Sequence, residues 1–514
     1  MPGEMDSLKA ITKGAAIVFF GLIISKIITY FFVMFAARYF GPEPYGIYSL
    51  GIAIMSFLSL VFLLGMQKGV VRYVAFFRAR KQEKKVKGVI TSALRMSSLI
   101  SIAVFVAMFF LSDSIALLFN EPRLAITIRI FALALPFLSV SNILSSVLKA
   151  FRRNDYDVIA MNITNNLFSL VFIVVFWYLG FTFYGVSIGW TIGTVIAFFA
   201  GLFLVQKVYP VFRNPIESAH VSRELLAFSV PLLLVSAMWM VISWTDTVML
   251  GFFNTVGSVG IYNVALPTAR LLYAIPTAFT VIFLPVASGL FSIGKTEQMK
   301  HVYRTVTKWI FYLTFPALLI FSLFSRQIIS ILFGANYVSG ALPLVVLSVG
   351  FFILAILSIS NNVLITMKKT KTVAFHTVSA AALNVALNVL LIPIYGIYGA
   401  ALATASSFFL WRGLDLVNAY RCTRFNPFSG HVMKSVLAGL ISIGLIYILS
   451  VLWDASTVYL LLCFLLIFIL VYFALLALLR GFDRNDIEIL KLMEKRAGLE
   501  LKLFRKIIKK FLRA

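Results

Sequence analysis

Long apolar runs broken by short polar connectors dominate the chain. Fourteen of them, residues 14–37, 46–66, 89–111, 124–148, 158–179, 185–206, 225–250, 261–288, 309–324, 342–366, 373–394, 399–417, 435–452 and 458–479, are each close to the length at which an α-helix crosses a bilayer, about 20 residues. With 61% hydrophobic and 12% charged residues over 514 positions, the chain holds more apolar side chain than a soluble core buries against so little polar surface. The pattern therefore predicts an all-α integral membrane protein with about 14 transmembrane helices.

The connectors carry the charge. Of 45 Lys and Arg residues, 37 lie in alternate connectors that include both ends of the chain. Only Arg38, Arg123 and Arg326 lie in the opposite set, and five fall inside the runs. By the positive-inside rule, both termini are expected to be cytoplasmic and the hairpin ARYFGPEPYGIYSLG (37–51) to face outward. The net charge of +26 then reflects topology and attraction to anionic lipid headgroups, with no call for nucleic acid as a partner. Residues 14–37 are long enough to span, so the first run reads as an uncleaved helix and not as a signal peptide.

VGIYNVA (259–265) echoes YGIYSLG at an offset of 214, which brings Gly46, Ile47 and Tyr48 onto Gly260, Ile261 and Tyr262. Leu118-Phe119 and Leu332-Phe333 keep that offset, as do Tyr184-Gly185 and Tyr398-Gly399. The chain thus divides into two lobes of six spans, 1–206 and 225–420, joined by a cytoplasmic linker at 207–224. Two extra helices (421–480) and a tail (481–514) follow. Six being even, both lobes share one orientation, the parallel repeat of transporters whose bundles rock about a central site. Such rocking predicts an outer gate at the equivalent helix starts, Gly46 and Tyr48 against Gly260 and Tyr262, where glycines allow close approach and tyrosines suit an interface or a passing sugar.

Few motifs carry chemistry. GLFSIGKT (289–296) spells a phosphate-binding loop, but it follows the inner end of a spanning helix and lacks the strand that motif requires, so it is rejected. Cys422 and Cys463 form no disulfide framework, and His220, His301, His376 and His431 lack metal spacing. Neither a metal nor a cofactor is expected. The outward segments offer only Glu43, Asp113, Glu121 and Asp454 as carboxylates, too thin a set to nominate an enzyme.

Charges inside the runs say more, because such a residue usually faces a bundle interior or a water-filled cavity. Lys26 lies twelve residues into the first run, about 18 Å along a helix and near the midplane. Arg270 lies well inside the eighth. Lys68 and Arg72, just past the second, are expected to continue that helix and face the same vestibule. Together these four form a cationic lining suited to an anionic substrate. Asp246, near the outer end of the seventh run, is placed to orient Arg270 across adjacent helices. Arg95, Arg129 and Arg412 lie within about two turns of an interface and are expected to snorkel. The asparagines of the runs, Asn142, Asn162, Asn165, Asn166, Asn361, Asn362, Asn384 and Asn388 among them, have the chemistry to hydrogen-bond a sugar but read chiefly as interhelical hydrogen-bonding groups. Residues 485–514 place Leu490, Met493, Ala497, Leu501, Phe504, Ile508 and Phe511 three or four apart among lysines and arginines, a basic amphipathic helix expected to lie on the inner leaflet.

AARYFGPEPYGIYSLGIAI, DTVMLGFFNTVGSVGIYNVALP and PIYGIYGAALATA, in that order and spacing, resemble the prokaryotic polysaccharide-transporter family of oligosaccharide-lipid flippases. Its larger superfamily includes MATE multidrug transporters and lipid II flippases. The resemblance covers essentially the whole chain. It implies a two-lobed bundle in the cytoplasmic membrane that exports polyprenyl-diphosphate-linked glycans by alternating access, with cavity cations such as Lys26 and Arg270 holding the diphosphate and a coupling ion as a further partner. A small-molecule exporter of the same fold, and a membrane glycosyltransferase or polymerase, are the alternatives. A lysine in place of a carboxylate in the first span separates the chain from cation-exporting relatives.

Overall fold

A computed structural model describes residues 2–181, 183–211, 216–219, 221–428, 430–453, 458–483 and 486. Every regular element among them is helical. Helix α1 (Pro2–Phe40) stops where Gly41 turns to φ 90°, a conformation that costs glycine nothing. Helix α2 (Pro42–Leu63) begins at once, with Pro42 in the first turn, where the missing N–H has no intrahelical role, and Glu43 beside the positive end of the helix dipole.

The helix expected to run on through Lys68 and Arg72 is instead two helices. Leu64 (φ 45°) and Gly65 (φ 69°) break it, and α3 (Met66–Ala79) starts anew. Then come α4 (Glu83–Leu118), α5 (Arg123–Ala150) and α6 (Asn154–Asp157), which continues through a π-helical turn (Val158–Thr164) into α7 (Asn165–Tyr178). Helices α8 (Gly185–Val208), α9 (Ser222–Phe253) and the start of α10 (Val256–Arg270) complete the first compact unit. That unit ends between Asn263 and Val264, inside α10. The repeat boundary lies elsewhere because α9, the first helix of the second repeat, packs on α2, α3 and α4.

The second unit opens with the rest of α10, a 3₁₀ turn (Leu271–Tyr273) and α11 (Ala274–Ser292). Pro276 accounts for the interruption: it has no N–H for the Leu272 carbonyl, and its ring crowds that oxygen. The order continues with α12 (Thr296–Leu323), α13 (Ser325–Phe333), a 3₁₀ stretch (Ala335–Gly340), α14 (Ala341–Ile356), α15 (Ser358–Thr366), α16 (Thr370–Tyr395), α17 (Ile397–Thr423), α18 (His431–Leu452) and α19 (Val458–Leu478). The rejected phosphate-loop match falls between α11 and α12, so a helix leads into it and not a strand. The 214-residue repeat is visible in the elements. Starts at Pro42 and Val256 differ by 214, at Glu83 and Thr296 by 213, and at Gly185 and Ile397 by 212.

Twelve of the described helical stretches are long and apolar enough to cross a membrane. The two remaining predicted runs, 225–250 and 399–417, fall within α9 and α17. Helix α17 is diluted by small and hydroxylated residues and by Arg412, Asp415 and Arg421, and the apolar stretch described in α9 is Ala237–Phe253. Apart from Asp486, the predicted amphipathic tail lies outside the described residues.

Behind α19 the chain folds back onto α12. Lys308 Nζ stands 2.8 Å from Asp483 Oδ2 and 2.7 Å from Asp486 Oδ1. Trp309 Nε1 donates to Asp486 (2.8 Å), and Tyr312 Oη to the Gly481 carbonyl (2.6 Å). The two aspartates also close a capping box: the Asp483 N–H donates to Asp486 Oδ2 (2.7 Å) and the Asp486 N–H to Asp483 Oδ1 (3.2 Å). Two carboxylates share one ammonium, and they respond differently. Burial pushes the Asp486 carboxyl above its ordinary range, whereas at Asp483 the opposing effect of burial is outweighed by the hydrogen bond and charge of Lys308, which hold it below.

Lys308→Met leaves Asp486 buried without its counter-charge, a change expected to cost about 3–5 kcal/mol. It should lower the thermal unfolding midpoint in detergent, and Asp486→Leu in the same chain should restore part of the loss. A Lys308→Met protein that unfolds at the wild-type temperature would show that this clamp contributes no stability.

Candidate functional site

The two glycines aligned by the repeat meet in space. Helices α2 and α10 approach so closely that a Cβ added at Gly46 would fall on the Val256 carbonyl, 2.9 Å from Gly260 N, and one at Gly260 would fall on the Pro42 carbonyl. No larger residue fits either position without moving a helix. The crossing is braced by Tyr45 Oη, which donates to the Asn263 carbonyl (3.2 Å). At the outer rim, a Cβ at Gly257 would lie 3.8 Å from Glu43 Cγ. Glu43 also accepts from Arg123 Nη1 (2.9 Å), and Arg123 pairs through Nε with Glu121 (2.6 Å).

The tyrosines do not stand at a free surface. Tyr262 is fully buried and donates through Oη to Asp246 Oδ2 at 2.6 Å. The next residue along each helix repeats the link, with Asn263 Nδ2 donating to Thr247 Oγ1 (3.1 Å). Asp246 is 2% exposed, so an intramembrane carboxylate, costly without partners, is held between α9 and α10 by a phenol. Tyr48 is half-buried in a ring cluster, 6.0 Å from Tyr45, 5.5 Å from Phe32 and 5.9 Å from Phe131. In this conformation, therefore, only Tyr48 offers part of its ring for stacking.

The four candidate cations are all exposed on their helices: Lys26 on α1, Lys68 and Arg72 on α3, and Arg270 at the end of α10 just before the 3₁₀ turn. Lys26 neighbours Ser25, whose hydroxyl accepts from Asn166 Nδ2 at 2.9 Å and so ties α1 to α7. Among the described residues, no hydrogen bond or ion pair joins the side chains of Lys26, Lys68 and Arg72 to one another or to an acid. Arg72 lies 4.3 Å above the Phe228 ring, which orients its guanidinium without neutralising it. Asp246 falls in the first compact unit and Arg270 in the second.

Arg412 was expected to snorkel, and it does not. It is 3% exposed and donates through Nη1 to Asp415 Oδ2 (2.8 Å), one turn along α17. Asp415, with no exposed surface, also contacts His376 Nδ1 from α16 (2.8 Å) and accepts from Asn361 Nδ2 of α15 (3.1 Å). The i, i+3 spacing of Arg412 and Asp415 in an apolar run was a legible signal for pairing. That His376 joins them was not, because it arrives from another helix. The asparagines behave as interhelical links: Asn142 accepts from Gln67 (2.7 Å), and Asn362 donates to Thr280 (3.1 Å).

Known proteins share this architecture. The family described as "Polysaccharide biosynthesis protein" matches residues 11–291, and the MatE family matches 231–390. The putative O-antigen transporter of Shigella flexneri is 24% identical over 412 residues, which cover 77% of this chain and 94% of that protein. The probable low-salt glycan biosynthesis flippase Agl15 of Haloferax volcanii is 30% identical over 166 residues, 32% of this chain and 35% of that one. Among solved structures, the lipid II flippase MurJ in an inward closed conformation superposes with a TM-score of 0.73 at 20% identity, covering 90% of this chain and 98% of that chain, a likeness of fold. With more than half of its length matched, and with the multi-pass helical architecture to accompany the match, the chain belongs to the polysaccharide biosynthesis protein family.

Proposed function

We propose that this protein is a flippase that moves polyprenyl-diphosphate-linked oligosaccharide from the cytoplasmic to the outer leaflet of the cell membrane, with both termini in the cytoplasm. The observation that carries the reading is the family match, together with the 94% of a putative O-antigen transporter that aligns with the chain. The chemistry of the helices agrees. A diphosphate taken into an apolar protein needs charge-assisted hydrogen bonds, and Lys26, Arg270, Lys68 and Arg72 are exposed cations on helices of the repeat. A MATE-like exporter of organic cations would be served by exposed carboxylates, yet Asp246 and Asp415 are both buried and engaged. The lipid tail stays in the bilayer while alternating access carries the headgroup across. The protein transports its substrate and does not transform it.

Lys26→Ala and Arg270→Ala should each abolish movement of a lipid-linked oligosaccharide in proteoliposomes while leaving insertion and yield unchanged. Variants that insert normally and flip at the wild-type rate would remove these residues from the site.

The α2–α10 crossing supplies the gate of this mechanism, with Gly46, Tyr48, Gly260 and Tyr262 at its contact. Glu43→Cys with Gly257→Cys, in a chain lacking Cys422 and Cys463, should form a disulfide on oxidation, stop transport, and recover on reduction. Crosslinking that leaves turnover unchanged would make the crossing a structural joint and not a gate.

A further inference from the structure

The network of α15, α16 and α17 contains a titratable group that the transport reading does not use. His376, Asp415 and Arg412 are 1%, 0% and 3% exposed, inside an apolar bundle. Two of them suffice for neutrality, since Arg412 already balances Asp415. The imidazole is in addition, and its surroundings match one protonation state. Nδ1 lies 2.8 Å from Asp415 Oδ1 and, as donor, completes that carboxylate. Nε2 lies 3.0 Å from Asn418 Nδ2, an arrangement in which the amide donates when Nε2 carries no proton. The same Asn418 Nδ2 donates to the Leu414 carbonyl at 3.1 Å.

A proton on Nε2 would set one donor against another. Rotation of the Asn418 amide, turning Oδ1 toward the ring, relieves this and withdraws the donor from Leu414. The trio would then carry one net positive charge in a setting that opposes it. The groups facing the cluster leave no other site to absorb that charge. On α17 they are Arg412 and Asp415; on α12 the nearest titratable group is Tyr303, whose hydroxyl is paired with Ser360 (2.7 Å). Helices α11, α14 and α15 carry no titratable side chain, and on α16 the others are Lys371, exposed in the first turn, and Tyr395, exposed at the far end. The Arg412 Nε has no acceptor, so the cluster already holds a spare donor.

We propose that His376 is a proton-binding site of this transporter, with Asp415 as the counter-charge it shares with Arg412 and the Asn418 amide as the element that reports its state to α17. The inference is independent of the substrate's identity. Its failure would leave the flippase reading intact.

The test uses the full chain in nanodiscs, labelled with ¹⁵N at histidine and carrying His220→Gln, His301→Gln and His431→Gln, so that His376 gives the sole side-chain signal. Acidification should convert that signal from the neutral to the protonated form while the protein stays folded. Asn418→Asp, whose carboxylate accepts from Nε2–H, should move the conversion to higher pH by about one unit, a tenfold gain in proton affinity. Asn418→Leu, which holds neither form, should leave the conversion at lower pH than Asn418→Asp. A His376 signal that keeps its neutral position down to the pH of unfolding, or a conversion unmoved by Asn418→Asp, would overturn the proposal.

Discussion

A charge carried into the hydrocarbon layer must either be paired within the protein or face water, because the bilayer offers it nothing else. That constraint sorts the ionisable residues of this chain into two populations. Asp246, Arg412, Asp415 and Lys308 are buried and engaged, by Tyr262, by one another with His376, and by Asp483 with Asp486. Lys26, Lys68, Arg72 and Arg270 are exposed on their helices. The first population holds helices together; the second stands at helix surfaces, where the proposed transport places the anionic headgroup. An anionic substrate is the chemistry that such a division favours.

The same economy governs the backbone. Where α2 and α10 cross, main-chain atoms come so close that neither Gly46 nor Gly260 can carry a side chain. Without a hydrophobic drive between helices in lipid, close backbone packing and buried polar links such as Tyr262 to Asp246 carry the association. The helix breaks follow local rules instead. Two left-handed residues interrupt the α2–α3 stretch, and Pro276 unwinds the corresponding α10–α11 stretch. The repeats thus reach a similar interrupted helix by different local means. Interrupted helices are common in transporters, where one helical segment has to move against another.

The candidates were legible because membrane helices expose their chemistry in one dimension. Lys26 and Arg270 stand out in apolar runs, and the glycine echo identified two positions that meet as the repeat anticipated. What misled was distance from a helix end. Arg412 lies near enough to an interface to snorkel, but Asp415 one turn away and His376 on the neighbouring helix draw it inward. Tyr262 has the composition of an interfacial residue and the environment of a buried one, since its hydroxyl serves Asp246.

The sequence by itself determined the solvent, the all-helical class, the alternation of basic connectors and the twofold repeat. Each is a matter of local composition or of comparison along the chain, and hydrocarbon forces a local answer by requiring every spanning segment to satisfy its own backbone. Only the tertiary structure decided which charges are neutralised, that the compact units divide inside α10 and not at the linker, and that Lys308 is held by aspartates some 175 residues away. Those outcomes depend on which face of one helix meets which face of another. Apart from the i, i+3 pair Arg412 and Asp415, these pairing energies act over a few ångströms between residues far apart in the chain, and no spacing along one helix records them.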